Sequence, residues 1–298
     1  MRGTKDFGLL AVYKPAGPTS TEVLNFVKKR FNIKKIGHTG TLDPFAEGVL
    51  IFLLGKATRL AEYYQKLPKR YIATGLLGVD TDTYDITGKV LQEKRIPPIT
   101  EDELKGVLKN FTGRIEQVPP PFSAKKVKGK RAYLLARKGK KVELKPVKVN
   151  IYEIKLLEFN PPRFTIEVSV SGGTYIRSLI RDIALSLGTV GTTEKLKRVA
   201  VGSITEEECI PFEKLKELED LDEYIRRPDE GLKNLKSLKL AKEQLEKFRS
   251  GQILPIEDGR LTAEDEGETV RVLDSRGNFI GIGRFTEKGL KPEKVFIF

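Results

Sequence analysis

The segment Lys35-Ile-Gly-His-Thr-Gly-Thr-Leu-Asp-Pro-Phe-Ala-Glu-Gly-Val-Leu50 holds the single histidine of the chain, His38, and shortly after it the acid Asp43. Glycines, threonines and a proline crowd the positions between Ile36 and Phe45, and the apolar run Val49-Leu-Ile-Phe-Leu-Leu54 follows at once. An apolar run after turn residues reads as a buried strand. The polar loop is therefore expected to be pinned against the core, where a reactive side chain can be held in place. Asp43 is the candidate. A carboxylate there can be a nucleophile, a general base, a metal ligand or only a cap, since Asp before Pro often opens a helix.

Neighbouring residues narrow these options. A metal would need more oxygens, and the loop adds only Glu47. Asp80-Thr-Asp-Thr-Tyr-Asp85 resembles part of a calcium loop but lacks its glycine and its terminal glutamate. No Gly-Lys-Ser/Thr follows Gly37 and Gly40, which argues against a phosphate-cradling loop. No metal is expected. A covalent role needs a cation that keeps the carboxylate ionised once substrate excludes water, and arginine suits because it stays charged and pairs by two bonds. Arg177 and Arg181 offer that cation. Tyr71, at the head of a predicted strand, offers an aromatic face for a base taken out of its stack.

The elements that would position these groups can be read from periodicity. Leu9–Tyr13 is predicted as a strand and residues 14–20 as a loop punctuated by proline and glycine. Thr19 and Glu22 form a capping-box pattern, and Val23, Val27 and Phe31 recur at helical spacing behind it. Tyr71–Val79 is predicted as a strand, Asp80–Gly88 as a polar turn and Asp102–Leu108 as a helix, with Pro119, Pro120 and Pro121 breaking the chain. Phe164–Val170 alternates as a half-buried strand. Apolar residues at 176, 179, 180, 183, 184 and 187, stopped by Gly188, predict a helix over Tyr175–Leu187 with Arg177 and Arg181 away from its apolar stripe. Glu213–Arg226 is expected to be helical and Arg227–Gly231 a linker. A short helix over Leu240–Ser250, a hairpin of Thr269–Leu273 with Phe279–Phe285, and a last strand at Val295–Phe298 complete a small β-rich tail.

Composition bounds the partners. The 298 residues carry 54 Lys and Arg against 41 Asp and Glu, a net charge of +13. Such an excess favours a polyanion, nucleic acid before membrane. It is concentrated: residues 123–148 hold eleven Lys or Arg against one acid, Glu143. Tyr133, Leu134 and Leu135 interleave those charges, which suits an ordered arm that grips phosphates better than a disordered tail. One cysteine, Cys209, excludes an internal disulfide and a cysteine metal cluster. No apolar stretch is long enough to span a membrane and the first residues do not read as a signal peptide, so the cytoplasm is the expected compartment. The absence of Trp, the single Met and the abundance of charge are what thermophile proteins tend to show.

Four strings, Lys14-Pro-Ala-Gly-Pro-Thr-Ser20, Gly37-His-Thr-Gly-Thr-Leu-Asp-Pro44, Tyr71-Ile-Ala-Thr-Gly75 and Gly173-Thr-Tyr-Ile-Arg-Ser-Leu179, resemble in order and spacing the successive motifs of the TruB-type pseudouridine synthases. Residues 123–148 fall where that family carries an RNA-gripping insertion, and the tail resembles a PUA RNA-binding module. The resemblance implies an α+β fold, a mixed and mostly antiparallel sheet with a central catalytic cleft and flanking helices, in a catalytic domain over 1–232 with a PUA-like domain over 233–298. It implies conversion of uridine 55 in the tRNA T loop to pseudouridine without cofactor, metal or guide RNA, on a flipped-out base. In that frame Asp43 is the catalytic aspartate, Arg177 its partner, and Tyr71 the residue that stacks on the target base and handles a proton. Leu196 lines the uracil pocket, His38 with Thr39 and Gly40 meets the RNA loop, and Lys14 supports the site. Lys125, Lys126, Lys128, Lys130 and Arg131 would grip RNA from the arm. The partner so implied is the tRNA T stem-loop, with no membrane, no obligatory protein partner and a monomeric chain expected. Two other functions remain open: a guide-RNA-dependent synthase subunit, and a non-catalytic RNA chaperone, a role that catalysis does not exclude.

Overall fold

The apolar run after the His38 loop forms the middle of a strand buried on both faces, β3 (Glu47–Gly55), in a computed structural model that describes residues 3–123, 125–127, 130–131, 144–255 and 266–297. Val49, Ile51 and Leu53 enter one core, and Leu50, Phe52 and Leu54 enter another. That two-sided burial is why the sequence shows a continuous run rather than alternation. Antiparallel to it lies β1 (Phe7–Lys14), and β2 (Ile36–His38) pairs along part of β3. Helix α1 (Ser20–Arg30) opens on the expected capping box of Thr19 and Glu22, and its Val23 and Val27 cover the second core.

The rest of the sheet is built from β4 (Lys69–Leu77), β5 (Gly113–Gln117), β6 (Val147–Asn160), β7 (Arg163–Val170), β8 (Gly191–Val201), β9 (Ile204–Thr205) and β10 (Ile210–Pro211). The order is β10-β1-β3-β8-β4-β7-β6-β5, with β9 on β8 and β2 on β3. Every pairing is antiparallel except β1 with β10 and β3 with β8. The β3–β8 junction is registered only at Lys197↔Glu47 and Arg198↔Gly48. Two half-sheets therefore meet at a short parallel seam, and the Asp43 loop lies just before it in the chain. Helices α3 (Glu101–Asn110) and α4 (Ile176–Ser186) cover the second half-sheet; Leu104, Leu108, Leu179, Ile180 and Ile183 share its core.

Four further strands form the tail: β11 (Ser237–Lys239), β12 (Thr269–Leu273), β13 (Phe279–Thr286) and β14 (Gly289–Val295), hydrogen-bonded in that order, with helix α6 (Lys242–Arg249) against them. Phe279, Ile282 and Phe296 share one core with Leu9, Ile51, Leu53 and with Tyr63 and Tyr64 of α2 (Ala61–Lys66). The Phe7 and Phe296 rings lie 4.6 Å apart, and the Tyr63 hydroxyl donates to Glu293 at 2.7 Å. The tail is thus welded to the first half-sheet by apolar contact. Among the described residues no helix is long and apolar enough to cross a membrane.

Several expectations shift. Helix α5 stops at Glu217 (Phe212–Glu217) rather than reaching Arg226. Beyond it Asp220 accepts from the Asp222 amide at 3.0 Å, an Asx turn, and Leu221 and Ile225 return to the core across a single turn, the Ile225 amide donating to the Leu221 carbonyl at 3.1 Å. The expected linker is ordered: Asp229 is 2% exposed and pairs with Arg227 at 3.0 Å and Arg271 at 3.3 Å. The last strand ends at Val295 instead of starting there, because Gly289 turns the chain back onto β13. Arg177, expected away from the apolar stripe, is buried, for reasons the site makes plain.

Candidate active site

Asp43 is presented by a loop tied down on three sides. The Ser20 hydroxyl accepts from the Leu42 amide at 2.8 Å and donates to the Leu42 carbonyl at 2.9 Å, so α1 grips the residue beside the acid. The Lys14 ammonium, fully buried, donates to the carbonyls of Pro15, Pro18 and Pro44. From β8, Arg198 donates to the carbonyls of Val49 at 2.7 Å, Thr41 at 3.3 Å and Gly40 at 3.2 Å. Gly48 makes this approach possible. Its φ is 110°, and a Cβ there would lie 2.2 Å from the Arg198 carbonyl oxygen, so no other residue fits.

The carboxylate meets Arg177 in a two-point fork: Nε lies 2.9 Å from Oδ2 as an ion pair and Nη2 donates to Oδ1 at 3.1 Å. Nη2 also donates to the Phe122 carbonyl at 3.0 Å, while Nη1 donates to the Thr83 carbonyl at 2.6 Å and to Asp85 Oδ2 at 3.2 Å. A guanidinium has five N–H groups; four donate hydrogen bonds here and the fifth, on Nε, meets Asp43 as an ion pair. That satisfaction explains how an arginine can be buried at the start of an otherwise apolar helix face. The helix start itself is fixed by Gln117, at the end of β5, which accepts from the Tyr175 amide at 2.8 Å and donates to the Tyr175 carbonyl at 3.0 Å.

Two acids thus share one arginine. The Asp43 side chain stays 32% exposed while those of Arg177 and Asp85 are 5% and 6% exposed, so only Asp43 offers its charge outward. Burial in the surrounding protein raises the Asp43 carboxyl above the usual aspartate range; Arg177 opposes that rise and Asp85 adds to it. Burial pushes the Lys14 ammonium down to about 8, against the attraction of Asp43.

Tyr71 and Leu196, each 6% exposed, are brought into one apolar cluster with Leu42, Ala46 and Ile176. Tyr71 stands opposite Arg198, and Leu196 opposite Ala73, in the β4–β8 ladder, so the tyrosine and the leucine share the face that carries Arg198. His38 ends β2, half-buried, and Thr39 is buried with its amide donating to the Ile51 carbonyl at 3.1 Å. Gly40 follows under Arg198. Of the basic arm, Lys125 reaches the Lys145 carbonyl at 3.5 Å, and Lys126–Val127 pairs with Lys130–Arg131 as a small hairpin. Lys128 lies outside the described residues, as does most of 123–148. A polar pocket between Thr74, Glu158, Arg163 and Glu194 includes none of these groups and lies on the other face of β4.

Residues 28–176 match the family model of the TruB family pseudouridylate synthase N-terminal domain, half of the chain in one block. The chain belongs to the TruB family of pseudouridine synthases. Residues 237–296 match the C-terminal model of pseudouridine synthase II TruB. Among curated relatives of this TruB-family chain, tRNA pseudouridine synthase B of Aquifex aeolicus is 41% identical over 292 residues, covering 97% of this chain and 99% of that protein. The Thermosipho melanesiensis protein of the same name is 42% identical, covering 97% and 96%. A solved Cbf5-Nop10-Gar1 complex contains a chain that superposes with a TM-score of 0.77 at 27% identity, covering 98% of this chain and 86% of that one. The mixed sheet and separate C-terminal β-module are therefore a pseudouridine synthase fold, and the TruB-family chain is a pseudouridine synthase.

Asp85 and Gln117 went unread in the sequence. Asp85 sits in the acidic turn that looked like a calcium-loop fragment, and its clustering with threonines was the available signal. Gln117 carried no signal, since its partner lies fifty-eight residues away along the chain.

Proposed function

We propose that this chain converts uridine 55 of the tRNA T loop to pseudouridine, acting alone and as a monomer, through Asp43 on a flipped-out base. The observation that carries this reading is the Asp43–Arg177 fork: one acid held by a fully engaged guanidinium and left 32% exposed. The names of the Aquifex and Thermosipho relatives supply tRNA as the substrate class. Pseudouridine is an isomer of uridine. The N1–C1′ bond breaks, the uracil turns, C5 bonds to C1′, the C5 hydrogen leaves as a proton and N1 regains one. A carboxylate assists by bonding to the sugar, by bonding to the ring or by removing a sugar proton, and each route needs it charged while bound RNA excludes water. Arg177 meets that need.

Tyr71 and Leu196 form the apolar wall on which the turning uracil rests, with Tyr71 stacking and handling a proton. His38, Thr39 and Gly40 meet the RNA loop, and Lys14 supports the site. Residues 1–232 act as the catalytic domain in the cytoplasm, and 233–298 as a PUA-like second RNA contact. The 123–148 arm, through Lys125, Lys126, Lys128, Lys130 and Arg131, grips phosphates and offsets the few kcal/mol that base extrusion costs.

The test is a carbodiimide pseudouridine map of a bare tRNA transcript treated with the pure chain. Wild type places one new pseudouridine at position 55; Asp43→Asn places none yet still binds the RNA. Turnover by Asp43→Asn near the wild-type rate overturns the role of Asp43. A silent wild-type chain that acts only with a guide RNA or added proteins places it with assemblies such as the Cbf5-Nop10-Gar1 complex.

A further inference from the structure

Tyr84 is held in a backbone conformation that tyrosine rarely takes, with φ at 60°. Left-handed φ is uncommon outside glycine, asparagine and aspartate, and it recurs where surrounding structure enforces it for a function. What enforces it here is visible. The Tyr84 amide donates to the Thr81 carbonyl at 3.2 Å, and its carbonyl accepts from the Thr193 amide at 3.0 Å. The Ile86 amide in turn donates to the Thr193 carbonyl at 2.9 Å, so β8 holds the turn from both sides of Asp85. Over the Tyr84 ring lies the Arg181 guanidinium, 4.6 Å from the centroid. Arg181 also faces Asp80 at 3.7 Å, beyond hydrogen-bond length. It stands one helical turn after Arg177 on α4.

Tyr84 lies between the two residues that supply both acceptors of Arg177 Nη1, the Thr83 carbonyl and Asp85 Oδ2. The φ and ψ of residue 84 set how the 83 carbonyl is oriented against residue 85. A right-handed or extended residue there turns one acceptor away from Arg177 while the bonds to Thr81 and Thr193 hold the other.

We propose that Tyr84 is a positioning residue for pseudouridine formation, whose left-handed backbone aims Thr83 and Asp85 together at Arg177 and so sets Asp43. This rests on Asp43 being the reactive acid. Arg181 and Thr193 act as the clamp that keeps residue 84 in place. The groups facing Asp43 are Arg177 and Tyr175 at the start of α4, Asp85 in the turn, Arg198 on β8 and Lys14 on β1. Of these, only Arg177 and Asp85 are reached through residue 84.

The test compares Tyr84→Val with Tyr84→Gly. Valine is β-branched and resists left-handed φ, whereas glycine accepts it at no steric cost, and both delete the ring. Single-turnover rates on tRNA are followed against pH, below the unfolding temperature of each variant, with Asp43→Asn as the silent control. For Tyr84→Val the rate is expected to fall about tenfold, the change that backbone strain of this class converts to, with KM little altered. Its acid limb moves to lower pH, because Asp85 no longer sits where it repels the Asp43 charge. Tyr84→Gly restores the rate to within about threefold and returns the acid limb toward wild type. A Tyr84→Val enzyme with wild-type rate and limb overturns the proposal, as does a Tyr84→Gly enzyme as slow as Tyr84→Val. A loss that only follows the fraction folded, with the limb unmoved, overturns it too. Activity in the Asp43→Asn control defeats instead the reading on which the proposal rests.

Discussion

Replacing Arg177 is the sharpest probe of the site. Arg177→Met removes a cation that is 5% exposed and leaves Asp43 and Asp85 facing each other, with the Thr83 and Phe122 carbonyls unpaired. Breaking a buried pair by deleting one partner costs roughly 3–5 kcal/mol. At 1.36 kcal/mol per unit, a loss of that size falling on the charged form of Asp43 lifts its pKa by about 2–4 units. Burial already raises that carboxyl. The acid limb of turnover therefore moves up, toward or past neutrality. Arg177→Lys keeps the charge but has three donors where five are in use, and cannot fork. Losing one bond to a charged group, about 1.5–3 kcal/mol, lowers its rate by roughly 10–150-fold. The C5 hydrogen lost in the reaction supplies the assay: tritium release from uridine labelled at C5 in a tRNA transcript, measured in single turnover from acid to alkaline pH, with a thermal unfolding curve for each variant. An Arg177→Met enzyme with a wild-type rate and an unmoved acid limb refutes the claim that Arg177 keeps Asp43 charged. A slow enzyme with an unmoved limb confines Arg177 to a structural role.

Three further outcomes are expected. In Asp85→Asn the repulsion that raises Asp43 is gone while an oxygen still faces Arg177, so the acid limb moves to lower pH; a limb that moves up contradicts this sign. Deleting residues 125–145 weakens RNA binding and flattens its log–log salt dependence by about 4, the value for six cations released from a single strand; filter binding at several salt concentrations with an unchanged slope removes the phosphate-gripping arm. Phe296→Ala opens a cavity in the core shared by the tail and the first half-sheet, where Phe296 is 1% exposed. Urea unfolding should show a loss of about 3–5 kcal/mol in one cooperative transition, and a separate early transition for the tail would show that the two do not fold as a unit.

Local signals carried much of the architecture. The capping box of Thr19 and Glu22, the alternation of Phe164–Val170, the Gly188 stop and the apolar run in β3 each depend on residues within a turn or two of one another, and each formed the element expected. Where the chain departs from expectation, distant contacts decided. The acidic segment after Glu217 reads as helix by composition, yet it keeps only one turn, opened by the Asp220 side chain, before the chain passes into the core with Leu221 and Ile225. The supposed linker is ordered because Asp229 is buried against Arg271 of the tail.

For the site, the sequence by itself determined which groups exist: a loop aspartate before a proline, two arginines at helical spacing, a tyrosine on a strand, and too few cysteines and histidines for most metal sites. Residue type and spacing did not distinguish Arg177 from Arg181, since both lie on the same helix face; only the family resemblance pointed to Arg177. Tertiary structure gives the physical reason. Arg177 is the one whose five N–H groups meet partners from the Asp43 loop, the acidic turn and the segment after the prolines, three pieces far apart in the chain. Arg181, one turn later, finds a tyrosine ring and a distant carboxylate instead. A buried charge is stable only where all its hydrogen bonds converge at once, and convergence of that kind is a property of folded space that no local pattern records.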